Sequence, residues 1–126
     1  MKLDGITVID LSRFLPGPAL TQVMADHGAA VVSVENVDGG EPNREIGAKR
    51  DRVSVFFANT HRGKKSLTLN LKTEEGREIL YKLVKGADIF GQNFRPGAAD
   101  KNGFGYADLK RINPKLVYVS ISGYGP

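Results

Sequence analysis

The sequence predicts an α/β fold, Rossmann-like, with a largely parallel sheet and flanking helices. Three observations carry this. Short β-branched apolar runs alternate with helically spaced segments along the whole chain. The first 35 residues already read as strand, Gly/Pro turn, helix and strand, which is one βαβ unit with a right-handed crossover. The 126 residues are 40% hydrophobic and 25% charged, enough for one core but not two.

Residues 6–11 (ITVIDL) form an apolar run entered through Gly5, as expected of a strand buried on both faces. Residues 12–18 (SRFLPGP) carry two prolines and a glycine and read as a turn. Residues 19–26 place Leu20, Val23 and Met24 on one helical side, with His27 and Gly28 closing the helix. Residues 30–35 (AVVSVE) are the next strand. Residues 36–52 are polar, glycine-containing and without periodicity, so they read as a long irregular excursion, a kind of loop that is usually functional or mobile. Residues 53–59 (VSVFFAN) fit a helix or a strand, 61–65 (HRGKK) a basic turn, and 66–71 (SLTLNL) an alternating strand.

Thr73 caps a helix whose first turn is acidic, favourable near the positive end of its dipole. Ile79, Leu80, Leu83 and Val84 give its core-facing stripe, and Lys85-Gly86 ends it. Residues 87–91 (ADIFG) follow as a buried strand. Short helices are expected from Pro96 and over 107–111, and 116–121 (LVYVSI) is the last strand. In parallel sheets ligands sit beyond the carboxyl ends of the strands. That rule selects four loops: 12–18, 36 onward, 92–97 and 122–126. In the third, an amide, an aromatic ring and a guanidinium emerge together from Gln92-Asn93-Phe94-Arg95-Pro96-Gly97, a grip suited to a flat ring bearing phosphates.

No apolar run approaches the roughly 20 residues of a membrane helix, and the Met1-Lys2-Leu3-Asp4 start does not read as a signal peptide, so a cytoplasmic protein without a membrane partner is expected. Zero cysteines exclude disulfides, thiolate metal sites and a thiol nucleophile. Arg44, Lys49, Arg50, Arg52, Arg62, Lys64 and Lys65 cluster within about two dozen positions, which fits either a polyanionic partner or a solvated basic surface. Zinc-finger spacing, a ribonucleoprotein motif and basic stretches interleaved with aromatics are all missing, which argues against nucleic acid.

Dinucleotide binding would need Gly-x-Gly-x-x-Gly after the first strand, and Pro16-Gly17-Pro18 stands there instead. Arg62-Gly63-Lys64-Lys65-Ser66 resembles a P-loop only superficially, because a strand follows it. The two histidines have no metal-ligand spacing: His27 reads as a helix cap, and His61 as either a turn residue or an anion contact. Asp10, at the end of the first strand, is either catalytic or bound to nearby backbone amides. No serine lies in a nucleophile elbow. The chain therefore offers an anion-binding sheet with no metal-ligand spacing and no evident nucleophile, and none of its residues is assigned as catalytic.

The ordered blocks LDGITVIDLSRFLPGP, ADHGAAVVSVE, HRGKKSLTLNLK, ADIFGQNFRPG, GFGYADL and INPKLVYVSISGYGP resemble the amino-terminal part of class III CoA-transferases, the group of formyl-CoA and carnitine-CoA transferases and α-methylacyl-CoA racemases. The resemblance implies that residues 1–126 are a CoA-binding portion, with coenzyme A or acyl-CoA as ligand and a carboxylic acid as acceptor. Phe14, Leu15 and Pro16 would lie against the CoA. Leu69 and Lys72 would border adenine and ribose, Asn93 and Phe94 the nucleotide and pantetheine arm, with Ala98 and Lys101 following on the next helix. Arg95 would contact phosphate or brace its loop. Asn36 stands where many relatives carry an arginine facing the nucleotide, and Arg44 is a candidate to compensate. Gln92 replaces a common glutamate, and Asn70 a common aspartate.

The resemblance also implies a length of several hundred residues, an interlocked homodimer, and a nucleophilic aspartate lying beyond the Ser-Gly-Tyr-Gly turn. That carboxylate would attack the thioester to give a mixed anhydride, and without it this chain is expected to be inactive alone. Two alternatives accompany this reading: α-proton exchange as in the racemases, which uses a His/Asp pair, and a non-catalytic CoA-binding or interaction fragment.

Overall fold

The computed structural model describes residues 1–125. In chain order its elements are β1 (Thr7–Asp10), α1 (Pro16–Asp26), β2 (Ala30–Glu35), a single 3₁₀ turn (Pro42–Arg44), β3 (Lys49–Arg50), β4 (Val53–Ser54), α2 (Val55–His61), β5 (Lys65–Thr68), α3 (Glu74–Lys85), β6 (Ile89–Gln92), α4 (Ala98–Lys101), α5 (Tyr106–Ile112) and β7 (Val117–Ser120). Five strands form one sheet in the order β5-β2-β1-β6-β7, and every pairing in it is parallel. The predicted α/β, Rossmann-like class is what the chain adopts.

The order reverses between β1 and β6. From β1 the chain builds outward through β2 to β5, then returns to place β6 on the other side of β1, with Asp10 opposite Gly91. At such a switch point the loops leaving two neighbouring strands diverge, and a crevice opens between them. Those loops are 12–15 and 93–97, two of the four selected from sequence. The fourth ends at Pro126, which lies outside the described residues.

The central strand is buried on both faces, as read. Ile9 and Leu11 enter the larger core with Val34, Leu80, Val84, Phe90, Phe104 and Leu109, beneath α3 and α5. Val8 enters a smaller core with Ala29 and Val31, against Met24 of α1. Thr73 caps α3 by accepting from the Gly76 amide at 3.1 Å. Only Leu80 and Val84 of the expected stripe are fully buried, while Ile79 is 43% exposed. No helix of the described residues is long and apolar enough to cross a membrane.

Four local readings need correction. Helix α1 begins at Pro16 instead of residue 19, because proline lacks only an amide hydrogen that the first helical turn leaves unpaired anyway. The side chain of Ser12 packs on Gly17, where any Cβ would overlap it. The 36–52 excursion is more ordered than expected: it holds the 3₁₀ turn, and β3 pairs antiparallel with β4 across Asp51 and Arg52, both in the left-handed region. Residues 53–59 are strand and then helix, divided at Ser54, whose hydroxyl caps α2 by accepting from Phe57. The basic turn is partly internal, since His61 closes α2 and is buried and Lys64 is buried behind it.

Candidate functional site

The loop after β1 is held from below by a buried polar cluster. Asp10 accepts from the Ser12 amide at 2.9 Å, from the hydroxyls of Ser12 and Thr21, and from Lys64 Nζ at 3.2 Å. Lys64 completes its three donors with the Pro18 carbonyl (2.8 Å) and Thr21 Oγ1 (2.7 Å). Burial lowers the Lys64 pKa, and the Asp10 carboxylate partly offsets that. Of the two readings of Asp10, the brace is the one the structure shows.

From the side, the loop is held by the excursion. Phe14 sits at φ 63°, a left-handed conformation that a bulky residue keeps only when its surroundings impose it. Its amide donates to Glu41 Oε1 at 2.9 Å, and its carbonyl accepts from Asn43 Nδ2. Glu41 and Asn43 are buried, and burial raises the Glu41 pKa against the bonds from the Phe14 and Asn43 amides. The Glu41 amide donates to Glu35 Oε2 at 2.9 Å. Glu35 also accepts from Arg44 at 2.6 and 2.8 Å and from Ser66 at 2.7 Å, and the Arg44 bonds lead in holding its pKa down to about 2. Arg44 is thus tied to Glu35 and stacked on Phe57 at 4.0 Å, so it does not stand in for a cation at position 36.

On the far side of the crevice, Asn93 accepts from the Arg13 amide (2.8 Å) and donates to the Arg13 carbonyl (2.7 Å), fastening the two loops to each other. Gln92 donates to Ser120 Oγ and accepts from the Phe94 amide. Phe94 leans on Phe104, and the Arg13 guanidinium lies 5.3 Å from its ring centre.

Phe94 is a wall of three cavities. One of about 300 Å³ is bounded by Arg13, Glu35, Asn36, Leu69, Lys72 and Phe94, among others. A second of about 440 Å³ runs past Arg95 and Gly97 to Tyr106 and Tyr118, whose hydroxyl burial pushes up to about 12. A third of about 340 Å³ lies between Pro16, Asn93, Arg95, Pro96 and Ser122.

Of the residues named from sequence, Leu69, Lys72 and Phe94 meet in the first cavity, and Pro16, Asn93, Phe94 and Arg95 in the third. Phe14 and Leu15 are half exposed at the crest of their loop, outside these walls. Ala98 and Lys101, on α4, line none of the three. His61 is not placed as an anion contact: burial, helped by the charge of Lys64, lowers its pKa to about 4, and its ring stacks on Phe57. The basic cluster is largely neutralised, with Arg44, Lys49, Arg62 and Lys64 each paired to a carboxylate. Sequence reasoning missed Arg13, Glu41 and Asn43; an arginine within the first expected ligand loop, 12–18, was the one available signal.

The fold and these cavities define a doubly wound α/β protein with an open crevice at the switch point. More particularly, the chain belongs to CoA-transferase family III, whose model matches residues 3–126. It is 43% identical to an acyl-CoA transferase of Fusarium pseudograminearum, with 98% of this chain and 29% of the relative aligned. It is also 43% identical to an acetyl-CoA:oxalate CoA-transferase of Acetobacter aceti, over 97% of this chain and 31% of the relative. The crystal structure of a CaiB/BaiF family protein from Brucella suis superposes with a TM-score of 0.90 at 40% identity, covering 98% of this chain and 34% of that one. The chain thus spans about a third of the length of the proteins it matches.

Proposed function

We propose that this chain is the CoA-binding, amino-terminal portion of an acyl-CoA:carboxylate CoA-transferase. The observation that carries the reading is the cavity at the switch point, where Leu69 and Phe94 present apolar faces beside the ammonium of Lys72. A flat base fits between such faces, and a mobile ammonium suits a phosphate. Phe14, Leu15 and Pro16 would run along the pantetheine arm, with Arg95, Ala98 and Lys101 flanking the nucleotide. Asn93 contributes by holding the two loops at a fixed spacing.

Asp10, Glu35 and Glu41, the carboxylates that brace the loops of the crevice, are all engaged in internal hydrogen bonds, and Asp100 lines the second cavity. The role of this portion is to hold acyl-CoA while a carboxylate elsewhere in the enzyme attacks the thioester. Relatives named as transferases favour CoA transfer over α-proton exchange. A homodimer of the whole enzyme belongs to the same reading.

Calorimetric titration with CoA tests the binding, and incubation with an acyl-CoA and a carboxylic acid tests the division of labour. The chain is expected to bind CoA and to show no transfer. Failure to bind at millimolar CoA, or turnover by the chain alone, would overturn the respective half.

A further inference from the structure

Two cations face the first cavity, and only one of them was expected there. Arg13 and Lys72 line it together, and among the described residues neither makes a salt bridge. Glu35 lines the same cavity, yet its oxygens are already taken by Arg44, Ser66 and the Glu41 amide. Glu41 lies close enough to feel the Arg13 charge, but it accepts from the Phe14 amide. Asn36 on the rim is neutral. The field in the cavity is therefore set by Arg13 and Lys72.

Arg13 is also positioned in advance. Asn93 grips both of its backbone groups, the following residue is locked at φ 63° by Glu41 and Asn43, and the guanidinium rests against Phe94. A guanidinium held over a ring face still has N–H groups to offer an anion, and the contact restricts the side chain before a ligand arrives.

We propose that Arg13 is a phosphate-binding residue of this cavity, clamping phosphate oxygens of the nucleotide against Lys72 while Phe94, over which its guanidinium lies, covers the base. The proposal rests on the CoA reading for the identity of the ligand, though not for its being an anion.

The test is calorimetry on the chain with four probes: CoA, 3′,5′-ADP, inorganic pyrophosphate and pantetheine. Arg13→Met is expected to weaken the three phosphate-bearing probes about 10- to 100-fold, the loss of one or two charge-assisted hydrogen bonds. It should leave pantetheine unchanged. Arg13→Lys, which keeps the charge but not the planar fork, should fall between. Arg50→Met, in exposed β3, removes the same charge elsewhere and should change nothing.

Equal affinity of wild type and Arg13→Met for 3′,5′-ADP would overturn the proposal, as would an equal loss of pantetheine. Should Arg13→Met not fold, Arg13→Lys decides: undiminished affinity for the phosphates counts against the clamp. A wild-type chain that binds pyrophosphate but not CoA would sink the CoA reading and leave the anion clamp standing; one that binds neither would sink both.

Discussion

The two faces of the sheet are built on different chemistry. Under α3 and α5 lies an apolar core of Leu80, Val84, Phe90, Leu109 and Leu116, all 4% exposed or less. Toward α1 and α2 the apolar core shrinks to Val8, Ala29 and Val31, and the same sheet face continues into Asp10, Ser33 and Glu35. There the buried groups are charges and amides: Asp10 with Lys64, Glu35 with Arg44, and Glu41 and Asn43 on the Phe14 backbone. One face stabilises the fold; the other fixes where two loops go. Buried ion pairs contribute little net stability against an apolar alternative, yet removing one partner strands a charge. The polar face should therefore be the more brittle of the two.

The largest expected effect tests that brittleness. Asp10→Ala leaves the Lys64 ammonium buried without its carboxylate and Ser12 without its acceptor, and turns the Thr21 hydroxyl onto the helix carbonyls of Gly17 and Pro18. A loss of about 3–5 kcal/mol is expected in urea denaturation, with CoA affinity falling as the 12–15 loop slackens. Leu80→Ala, on the apolar face, should cost a comparable 2–5 kcal/mol through its cavity, while leaving the affinity of the folded fraction unchanged. If both variants lose affinity in proportion to stability, the division between the faces fails.

Next comes pH. His61 is buried on the polar face, and its pKa falls from the usual 6.5 to about 4, through burial first and the charge of Lys64 second. The unfolded chain binds a proton near pH 6.5 and the folded chain does not until about pH 4, so folding is disfavoured as pH falls through that window. Full stability holds above about pH 6.5, and roughly 2–3 kcal/mol is lost by pH 4. Glu35, held down to about 2, adds its own loss as pH falls below its ordinary 4.5. Urea midpoints from pH 7 to 4 should show the slope in wild type. His61→Phe, which preserves the stack on Phe57, should flatten it above pH 5. A slope that survives the substitution would assign it to other groups.

The contrast between the faces is also the contrast in what the sequence reveals. The apolar face announces itself through period: residues 6–11, the stripe containing Leu80 and Val84, and the strands around Phe90 and Val119 sit close to where spacing puts them. The polar face does not, because its bonds join residues far apart in sequence. Glu41 reaches Phe14 across 27 positions and Asn43 does so across 29, and nothing local in Gly-Gly-Glu-Pro-Asn-Arg marks that reach. The same holds for His61 and Lys64. In sequence they form a basic turn, and only the fold of α2 onto α1 shows them buried. Leu69 and Lys72 were found because they belong to a resemblance, and Phe94 and Arg95 already because the strand-end rule selects their loop; Arg13, inside another loop that the same rule selects, was passed over.

The smallest expected effect divides the faces most cleanly, because it compares like with like. Ser54 and Thr73 are both helix caps, each accepting one backbone amide at 3.1 Å. Each hydroxyl also donates to a carbonyl, Ser54 to Ile46 and Thr73 to Asn70. Replacing either by alanine should cost about 1 kcal/mol. Thr73 starts α3, which packs on the apolar core and makes no hydrogen bond to the 12–15 loop; Thr73 and Arg77 donate to the carbonyls of Asn70, Leu71 and Lys72 in the wall of the first cavity, so Thr73→Ala should lower CoA affinity only slightly, through Lys72. Ser54 starts α2, whose Thr60 reaches the Asn43 amide that grips Phe14. A frayed α2 therefore loosens the loop that carries Arg13, and Ser54→Ala should weaken CoA several-fold for the same stability loss. Equal affinities in the two cap variants would show that the 12–15 loop keeps its shape without α2, on the supports of Asp10, Glu41 and Asn93.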